Sequence, residues 1–176
     1  PLTAGAISGL IEQYRQQGML AKAQLAFAQL TSAQRRALGA SLKRIESTLL
    51  QDQADLRLAK GQQDEAIKYL EQAVRVDADD TRLHFKLAKQ YAQRGSIAMG
   101  LRLLDDFLAR HPNDPEALYS LAQYQSDMGD AGNALKTLNR IEDAKRTRDM
   151  TLLQQRLMIK NLAQDTKSLM LSGKKN

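Results

Sequence analysis

Glycine recurs at an interval of 34 residues in three short stretches of the chain: GQQDE at 61–65, GSIAM at 95–99 and GDAGN at 129–133. Around these glycines, three gap-free segments of 34 residues start at Ser47, Thr81 and Pro115. In every segment position 8 is alanine, position 20 is alanine or glycine, and position 24 is leucine. Self-similarity at a fixed period of this length predicts a repeat architecture.

The spacing within each segment predicts a pair of helices. Positions 4, 7, 8 and 11 share one face of a first helix, and positions 17, 20, 24 and 27 share one face of a second. Glycine at position 15 ends the first helix because it adopts a positive φ at little cost. Small residues at positions 8 and 20 let the two helices approach closely, and the leucine fills the space between consecutive pairs. The sequence therefore predicts an all-α chain of helix-turn-helix units.

An earlier unit at residues 4–37 follows the same pattern around Gly18. Its glycine precedes Gly61 by 43 residues, so nine residues are inserted, and we place them at 38–46. The inserted residues are rich in helix formers. We therefore expect the first helix of the second unit to extend backwards by two turns or more.

The turn before this insertion carries its own signals. Thr31 and Gln34 have the spacing of a capping box, which predicts a helix start. From there to Lys60 only Gly39 argues against a single continuous helix. One long helix from this cap to the end of the second unit's first helix is therefore the expectation.

Residues 149–176 fit the repeat pattern poorly. Continuing the same register places Leu152, Gln155, Arg156 and Ile159 on the packing face of a further helix. We interpret this segment as a degenerate repeat or a capping helix with a basic tail. The predicted organisation is a single array over residues 1–176, with repeats at 4–37, 47–80, 81–114 and 115–148, the insertion at 38–46 and the terminal segment at 149–176.

Composition and charge exclude several classes of protein. The net charge of +6 resides entirely in residues 145–176, and residues 1–144 are balanced. The neutral body argues against a nucleic-acid partner, which would call for a basic stripe. No apolar run approaches the roughly 18 residues of a membrane-spanning helix, and the absence of cysteine excludes disulfides and thiolate metal sites. The chain opens at Pro1 without a signal sequence, which we interpret as a fragment or a processed product.

Catalytic signals are lacking. His84 and His111 have no second ligand at metal-site spacing on the same helix face, so both are expected to be structural. The acid pairs Asp79-Asp80 and Asp105-Asp106 diverge on a helix and are expected to cap or to be solvated. No phosphate-binding loop or nucleophile motif occurs. We therefore expect a protein that is not an enzyme, with no catalytic residues, no cofactor and no metal.

The combination of a small residue at position 8, glycine at 15, a small residue at 20 and a large apolar residue at 24 resembles the tetratricopeptide repeat (TPR). The resemblance implies a right-handed superhelical solenoid of about four repeats plus a C-terminal helix. In that family positions 2, 5, 9, 12 and 13 of the first helices line a concave groove. Among the residues that these positions give in the second, third and fourth repeats, we select these candidate binding residues: Gln51, Asp55, Arg82, Phe85, Lys89, Tyr119 and Gln123.

Two aromatic residues, Phe85 and Tyr119, occupy equivalent groove positions one repeat apart. Aromatic faces with amide and charged neighbours are suited to holding a peptide helix or a sugar chain. The alternative is that Phe85 packs between helices and Tyr119 is simply exposed.

A longer stretch, from Ala6 to about Ala122, resembles the periplasmic TPR region of a family of bacterial cellulose biosynthesis outer-membrane proteins. The turn Leu30-Thr31-Ser32-Ala33-Gln34-Arg35-Arg36 matches the short turn that precedes a long helix in that family. The resemblance implies a periplasmic scaffold that links an inner-membrane synthase to an outer-membrane pore. Its implied partners are the proteins of the cellulose synthase complex and a glucan chain that it guides.

Two other classes of scaffold remain open at this point. One is a TPR scaffold of another envelope or secretion system that binds protein partners only. The other is a cytoplasmic TPR adaptor. A signal peptide and a C-terminal run of alternating strands in the full-length gene would select the cellulose interpretation.

Overall fold

A computed structural model describes residues 2–172, with side chains as far as residue 170. Within that range the chain forms ten α-helices and one 3-10 turn, and no strand occurs there. The all-α prediction is confirmed. The chain divides into two compact units, Pro1–Leu83 and His84–Asn176. The single array with the repeat bounds given above stays a prediction.

The first unit contains two helix pairs and a short connecting helix. Its helices are α1 Ala4–Gln16, α2 Leu20–Ala28, α3 Ser32–Leu38, α4 Ala40–Ala59 and α5 Gln63–Val76. Helix α1 packs against α2, and α4 packs against α5. Ile11, Ala23 and Leu49 form a buried cluster, and Phe27 and Ile45 pack against it. Ile11, Ala23 and Phe27 lie at the predicted positions 8, 20 and 24, whereas Leu49 and Ile45 lie outside the predicted face of α4.

Glycine ends the first helix of each pair, as the sequence predicts. The φ angles are +71° at Gly18, +71° at Gly61, +87° at Gly95 and +86° at Gly129. Within the described residues no other residue type has a positive φ. The prediction that these glycines act as helix-ending residues is confirmed.

The insertion forms a broken helix. Thr31 Oγ1 accepts a hydrogen bond from the Gln34 backbone NH at 3.3 Å, and Gln34 Oε1 accepts one from the Thr31 NH at 2.8 Å. The predicted capping box is confirmed. The expected continuous helix is wrong at Gly39, whose φ of 51° and ψ of −125° are incompatible with a helix. The backward extension is confirmed, because α4 begins at Ala40, about two turns before Ser47.

The second unit continues from α6, whose first three residues belong to the first unit. The remaining helices are α6 Thr81–Gln93, α7 Ile97–Arg110, α8 Pro115–Asp127, α9 Ala131–Leu138 and α10 Arg148–Ser172, with a 3-10 turn at Asp143–Lys145. Its core includes Phe107, Leu118, Tyr124, Leu138 and Leu157, all nearly fully buried. Asp114 caps α8 through a 3.0 Å bond from the Ala117 NH, as its sequence pattern predicts.

Helix α10 does not follow the predicted register. Met150, Leu153 and Leu157 are buried, whereas Leu152 and Ile159 are exposed. The packing face is thus displaced by one residue, about 100° around the helix. The cause lies in α9, which ends at Leu138, six residues earlier in its repeat than α5 and α7 end in theirs. The chain then reaches α10 through an irregular segment, so α10 packs with another face.

The second half of α10 exposes several apolar side chains. Met158, Leu162, Leu169 and Met170 are each more than half exposed. None of the helices within residues 2–172, α10 included, has the length and apolar character needed to cross a membrane.

Candidate binding groove

Two adjacent cavities in the second unit lie between α6 and α8, the first of them also bordered by α10, and we call them together the α8 groove. The first encloses about 260 Å³ and is lined by Phe85, Lys89, Gln123, Ser126, Asp127, Leu153 and Arg156. The second encloses about 230 Å³ and is lined by Lys89, Ala92, Gln93, Tyr124, Asp127 and Met128. Lys89 and Asp127 line both. Residues four apart share a helix face, which explains why Phe85 and Lys89 face the groove together.

A lysine spans the α8 groove. Lys89 Nζ lies 3.9 Å from Asp127 Oδ2 on α8 and 5.5 Å from the centre of the Phe85 ring on its own helix. Both charged side chains are about half exposed, so the ion pair contributes at most about 1 kcal/mol. The ring of Phe85 is half-buried against the core. The ammonium group therefore lies over one face of this partly buried ring.

The polar groups of the groove are suited to hydrogen bonding. Gln123 and Ser126 present an amide and a hydroxyl from α8, and Asp127 presents a carboxylate. Arg156 Nε donates to the Leu152 carbonyl at 3.4 Å, and its side chain is exposed at the mouth. Within residues 2–172 no group of three or more histidine, aspartate or glutamate side chains is placed to hold a metal ion. This arrangement can bind a polar or charged chain by donors, acceptors and charge.

Tyr119 is placed differently from Phe85. Its ring is half-buried against the same core, and it does not line either cavity of the α8 groove. Burial raises the pKa of Tyr119, the nearby Asp149 carboxylate adds to this rise, and Arg156 opposes it. The two aromatic residues therefore do not form a matched pair. In the alternative, Phe85 packs between helices and Tyr119 is simply exposed; the structure packs Phe85 against the core, and Tyr119 is partly buried.

Three of the seven candidate residues, Phe85, Lys89 and Gln123, come together in the α8 groove. Gln51 and Asp55 lie on α4 in the first unit, where Asp55 is exposed. Arg82 is exposed at the start of α6 and lies 3.8 Å from Asp80 Oδ1. A binding role for these seven residues stays a prediction.

Sequence reasoning missed four residues that line the α8 groove: Tyr124 and Met128 in the second cavity, and Leu153 and Arg156 in the first. The last two lie on α10, whose register differs from the predicted one. Because of the one-residue displacement, Leu153 is part of the core and also lines the groove. The same displacement turns Arg156 away from the packing face, and it lines the groove as well. The early end of α9 is the structural cause, and no residue spacing in the sequence indicates it.

A further cavity in the first unit was also missed. It encloses about 380 Å³ between α1 and α4 and is lined by Ser8, Ile11, Glu12, Arg15, Arg44, Ile45 and Thr48. Arg15 donates from Nε and Nη2 to Asp52 at 2.5 and 3.1 Å, and from Nη1 to Glu12 at 2.5 Å. The hydrogen bond to Asp52 raises the pKa of Arg15, and burial opposes it. Positions 5, 9 and 12 of the first repeat were the available signal for Ser8, Glu12 and Arg15.

Comparison with known families and proteins agrees with this architecture. A family described as "TPR repeat" matches residues 54–95, and one described as "Tetratricopeptide repeat" matches residues 82–124. The chain is 32% identical over 171 residues to "Cellulose synthase operon protein C" of Xanthomonas axonopodis pv. citri. It is 31% identical over 148 residues to the protein of the same name from Pseudomonas fluorescens. These alignments cover 97% and 84% of this chain but only 11% and 12% of the relatives.

Solved structures support the fold. A crystal structure of a tetratricopeptide repeat protein from Parabacteroides merdae matches with a TM-score of 0.60 at 15% identity. The match covers 92% of this chain and 61% of that one. At such identity the likeness speaks to fold alone. Residues 54–124 carry tetratricopeptide repeats, and over nearly all of its length the chain is similar to a segment of cellulose synthase operon protein C.

Proposed function

We propose that this chain is a non-catalytic segment of a periplasmic scaffold in a bacterial cellulose synthesis and export complex. In this role it links the inner-membrane synthase to the outer-membrane pore. The observation that carries the proposal is the 32% identity to a cellulose synthase operon protein C over 97% of the chain. Because the chain spans about a tenth of its curated relatives, the proposed role is that of one part of a longer scaffold.

The helix pairs suit this role because they display side chains on a framework of buried small residues. Ala54, Ala88, Ala122 and Ala134 are fully buried, so the helices of each pair approach closely. The first helices are then free to present their other faces to a partner. The α8 groove is one such surface, with charges of both signs and amide groups. Mixed polar surfaces of this kind are typical of sites for proteins and for polar polymers.

Guidance of the glucan is a second proposed role, and the polar lining of the α8 groove favours it. A glucan is uncharged and carries hydroxyl groups along its length. Gln93, Gln123 and Ser126 provide neutral donors and acceptors, and Asp127 and Arg156 provide charged ones. Because the Phe85 ring is partly buried and Lys89 lies over one of its faces, we expect hydrogen bonds to hold the sugar more than stacking does.

The scaffold role is tested by site-specific photo-crosslinking in a bacterium that carries the full-length gene. A photoreactive residue at Gln123 in the α8 groove should crosslink to a protein of the cellulose synthase complex. The matched control is the same residue at Lys136, which is exposed on α9 away from the groove. Crosslinks from Gln123 only to components of another secretion system would replace the cellulose complex with that system.

The compartment is tested with a cysteine placed at Lys136, since the chain has no cysteine of its own. A maleimide that cannot cross the inner membrane should label it once the outer membrane alone is opened. Labelling that requires the inner membrane to be opened would support the cytoplasmic adaptor instead.

The glucan role is tested by NMR titration of the labelled chain with cello-oligosaccharides, with a maltose series as the control. Shifts restricted to residues 85–93 and 123–128, and seen with the cello series alone, would support guidance of the polymer. The absence of shifts at millimolar sugar would leave the protein-scaffold role as the function of the groove.

A further inference from the structure

The cavity between α1 and α4, which we call the α1–α4 cavity, depends on the residues inserted before the second repeat. Arg44 and Ile45 line it and lie within the two turns that α4 gains over a regular first helix. Helices α6 and α8 begin at the first position of their repeats, at Thr81 and Pro115. They therefore carry no equivalent of these two side chains. The insertion thus supplies a wall that the regular pattern lacks.

The aliphatic part of this wall is held firmly. Ile45 packs against the cluster of Ile11, Ala23 and Leu49, so the extension of α4 is anchored to α1 and α2. Ile11 is only 1% exposed, yet it borders the cavity and forms its floor. Gly39 immediately precedes α4 and breaks the chain direction, which separates this wall from α3. The apolar surface that the cavity offers to a partner is therefore mainly that of the partly buried Ile45.

The charges of the cavity are unequally satisfied. Arg15 is held between Asp52 and Glu12, and Glu12 also accepts from Gln16 Nε2 at 3.1 Å. The guanidinium of Arg44, by contrast, has no hydrogen bond or ion pair with any residue that the structure describes, and the side chain is exposed. Thr48 Oγ1 is occupied, because it donates to the Arg44 carbonyl at 2.7 Å. The cavity therefore offers one cation without a partner, among the described residues, beside an aliphatic floor.

We propose that the α1–α4 cavity binds a peptide segment of a protein partner in which an aspartate or glutamate side chain neighbours an aliphatic residue. The carboxylate pairs with the Arg44 guanidinium, whose planar donors match a carboxylate in two parallel hydrogen bonds. The aliphatic side chain lies on Ile11 and Ile45, and the Ser8 hydroxyl is placed to bond the peptide backbone.

This proposal takes one assumption from the proposed scaffold function, namely that the partner is a protein. Its test uses the purified chain without any cellulose machinery, so the two fail separately. The probe is the tripeptide acetyl-Leu-Glu-Leu-amide, titrated to about 10 mM into the isotopically labelled chain and followed by NMR. Shifts should cluster at residues 8–15 and 44–48. The matched peptide acetyl-Leu-Gln-Leu-amide should bind at least about tenfold more weakly, because it lacks the charge.

Two arginine variants locate the binding charge. Arg44→Gln should weaken the glutamate peptide by about tenfold or more. Arg36→Gln removes the same charge from an exposed side chain of α3 that does not line the cavity, and its affinity should stay within about twofold. The amide spectra of both variants report whether the unit remains folded.

Several results would overturn the proposal. One is the absence of shifts at the highest peptide concentration. Others are equal binding of the glutamine peptide, equal losses in the two variants, or shifts confined to the α8 groove. Binding seen only with acetyl-Leu-Gln-Leu carrying a free C-terminal carboxylate would assign the cavity to chain termini and would also contradict it. Shifts of residues 8–15 with cello-oligosaccharides would assign it to the polymer.

Discussion

The chain changes from one helix pair to the next through two kinds of junction. Between α5 and α6, and again between α7 and α8, four residues suffice. Each of these short junctions ends in an aspartate that caps the next helix: Asp80 Oδ1 accepts from the Leu83 NH at 3.2 Å, and Asp114 Oδ1 accepts from the Ala117 NH at 3.0 Å. Between α2 and α4, and between α9 and α10, the junction is longer and contains a short helical segment.

The two long junctions share an arginine-to-carbonyl hydrogen bond. Arg35 Nε donates to the Leu30 carbonyl at 3.2 Å, and Arg146 Nε donates to the Ile141 carbonyl at 3.0 Å. In both cases the acceptor residue is buried and lies five positions earlier in the chain. Both junctions also follow a shortened helix, since α2 has 9 residues and α9 has 8, whereas α5 and α7 have 14. The arginine closes a turn where the second helix stops early.

The difference between the two kinds of junction shows where the next helix keeps the 34-residue spacing of buried positions. After a short junction the next first helix starts at repeat position 1, and Leu87, Ala88, Leu121 and Ala122 are buried as the pattern requires. After a long junction the next helix is either lengthened at its start, as in α4, or turned by one residue, as in α10. The 34-residue spacing of buried positions is therefore kept across the short junctions and shifted across the long ones.

We expect the largest loss of stability from a substitution that disrupts the close packing of the regular pair α6–α7. A Cβ on Gly100 would lie 2.3 Å from the Tyr124 hydroxyl and 2.7 Å from the Ala88 carbonyl oxygen. Tyr124 is also fixed, since its hydroxyl donates to the Ile97 carbonyl at 2.8 Å. Gly100→Ala should therefore lower the free energy of unfolding by about 3 kcal/mol, measured by denaturant titration.

The matched control for that variant lies on the short helix α9. A Cβ on Gly132 would meet no atom closer than 3.6 Å, so Gly132→Ala should be neutral or stabilise by up to about 1 kcal/mol. Equal effects of the two substitutions would contradict the view that close packing distinguishes the regular pair.

The regular part of the fold is the part that the sequence predicts. Glycine at position 15 and small residues at positions 8 and 20 indicate both helices of a pair, and α6 and α8 start where their segments start. Gly39 was underestimated because helix propensity treats a glycine as a modest cost. A helix-propensity scale does not indicate that this glycine adopts a φ of 51° and ends α3.

The candidate site follows the same division. Phe85, Lys89 and Gln123 were predicted from the repeat positions, and they lie together because α6 and α8 keep phase. Arg156 was assigned to a packing face because α10 was expected to keep phase as well. Arg44 was overlooked because it lies in inserted residues that have no repeat position. Arg156 and Arg44 thus both lie on helices that follow long junctions.

The second prediction concerns the helix break within the first long junction. Gly39→Ala places a side chain in a backbone conformation that only glycine adopts readily, at a cost of about 2 kcal/mol. Gly9→Ala in α1, where a Cβ meets nothing within 4 Å, is the control and should be stabilising. If Gly39→Ala instead raises both helicity by circular dichroism and stability, then the chain tolerates one continuous helix and the break is not needed.

The third prediction tests whether the arginine in each of the two long junctions stabilises the fold to a similar extent. Arg35→Ala loses bonds to two carbonyls and a contact with the Phe27 ring at 5.0 Å, and Arg146→Ala loses bonds to Ile141 and Gln154. Each should cost about 1–2 kcal/mol in thermal unfolding, since each leaves carbonyls without a donor. Arg36→Ala, at an exposed neighbouring position, should change stability by less than about 0.5 kcal/mol. A loss at only one junction would show that the shared geometry does not have a shared role.

The smallest expected effect tests how the short helix α9 is started. Asp130 accepts from the Asn133 backbone NH at 3.0 Å and from its side-chain amide at 2.7 Å, and these bonds lower the pKa of Asp130. A carboxylate with a lowered pKa contributes stability above its unfolded value, near 3.8, and loses it as the pH falls through the lower folded value. Because the group is exposed, this contribution is below about 1 kcal/mol.

Asp130→Asn keeps an acceptor for the helix start but removes the charge. The difference in melting temperature between the unsubstituted chain and this variant should therefore narrow below about pH 4. A difference that is constant from about pH 2 to 7 would mean that α9 depends on the geometry of the cap and not on its charge.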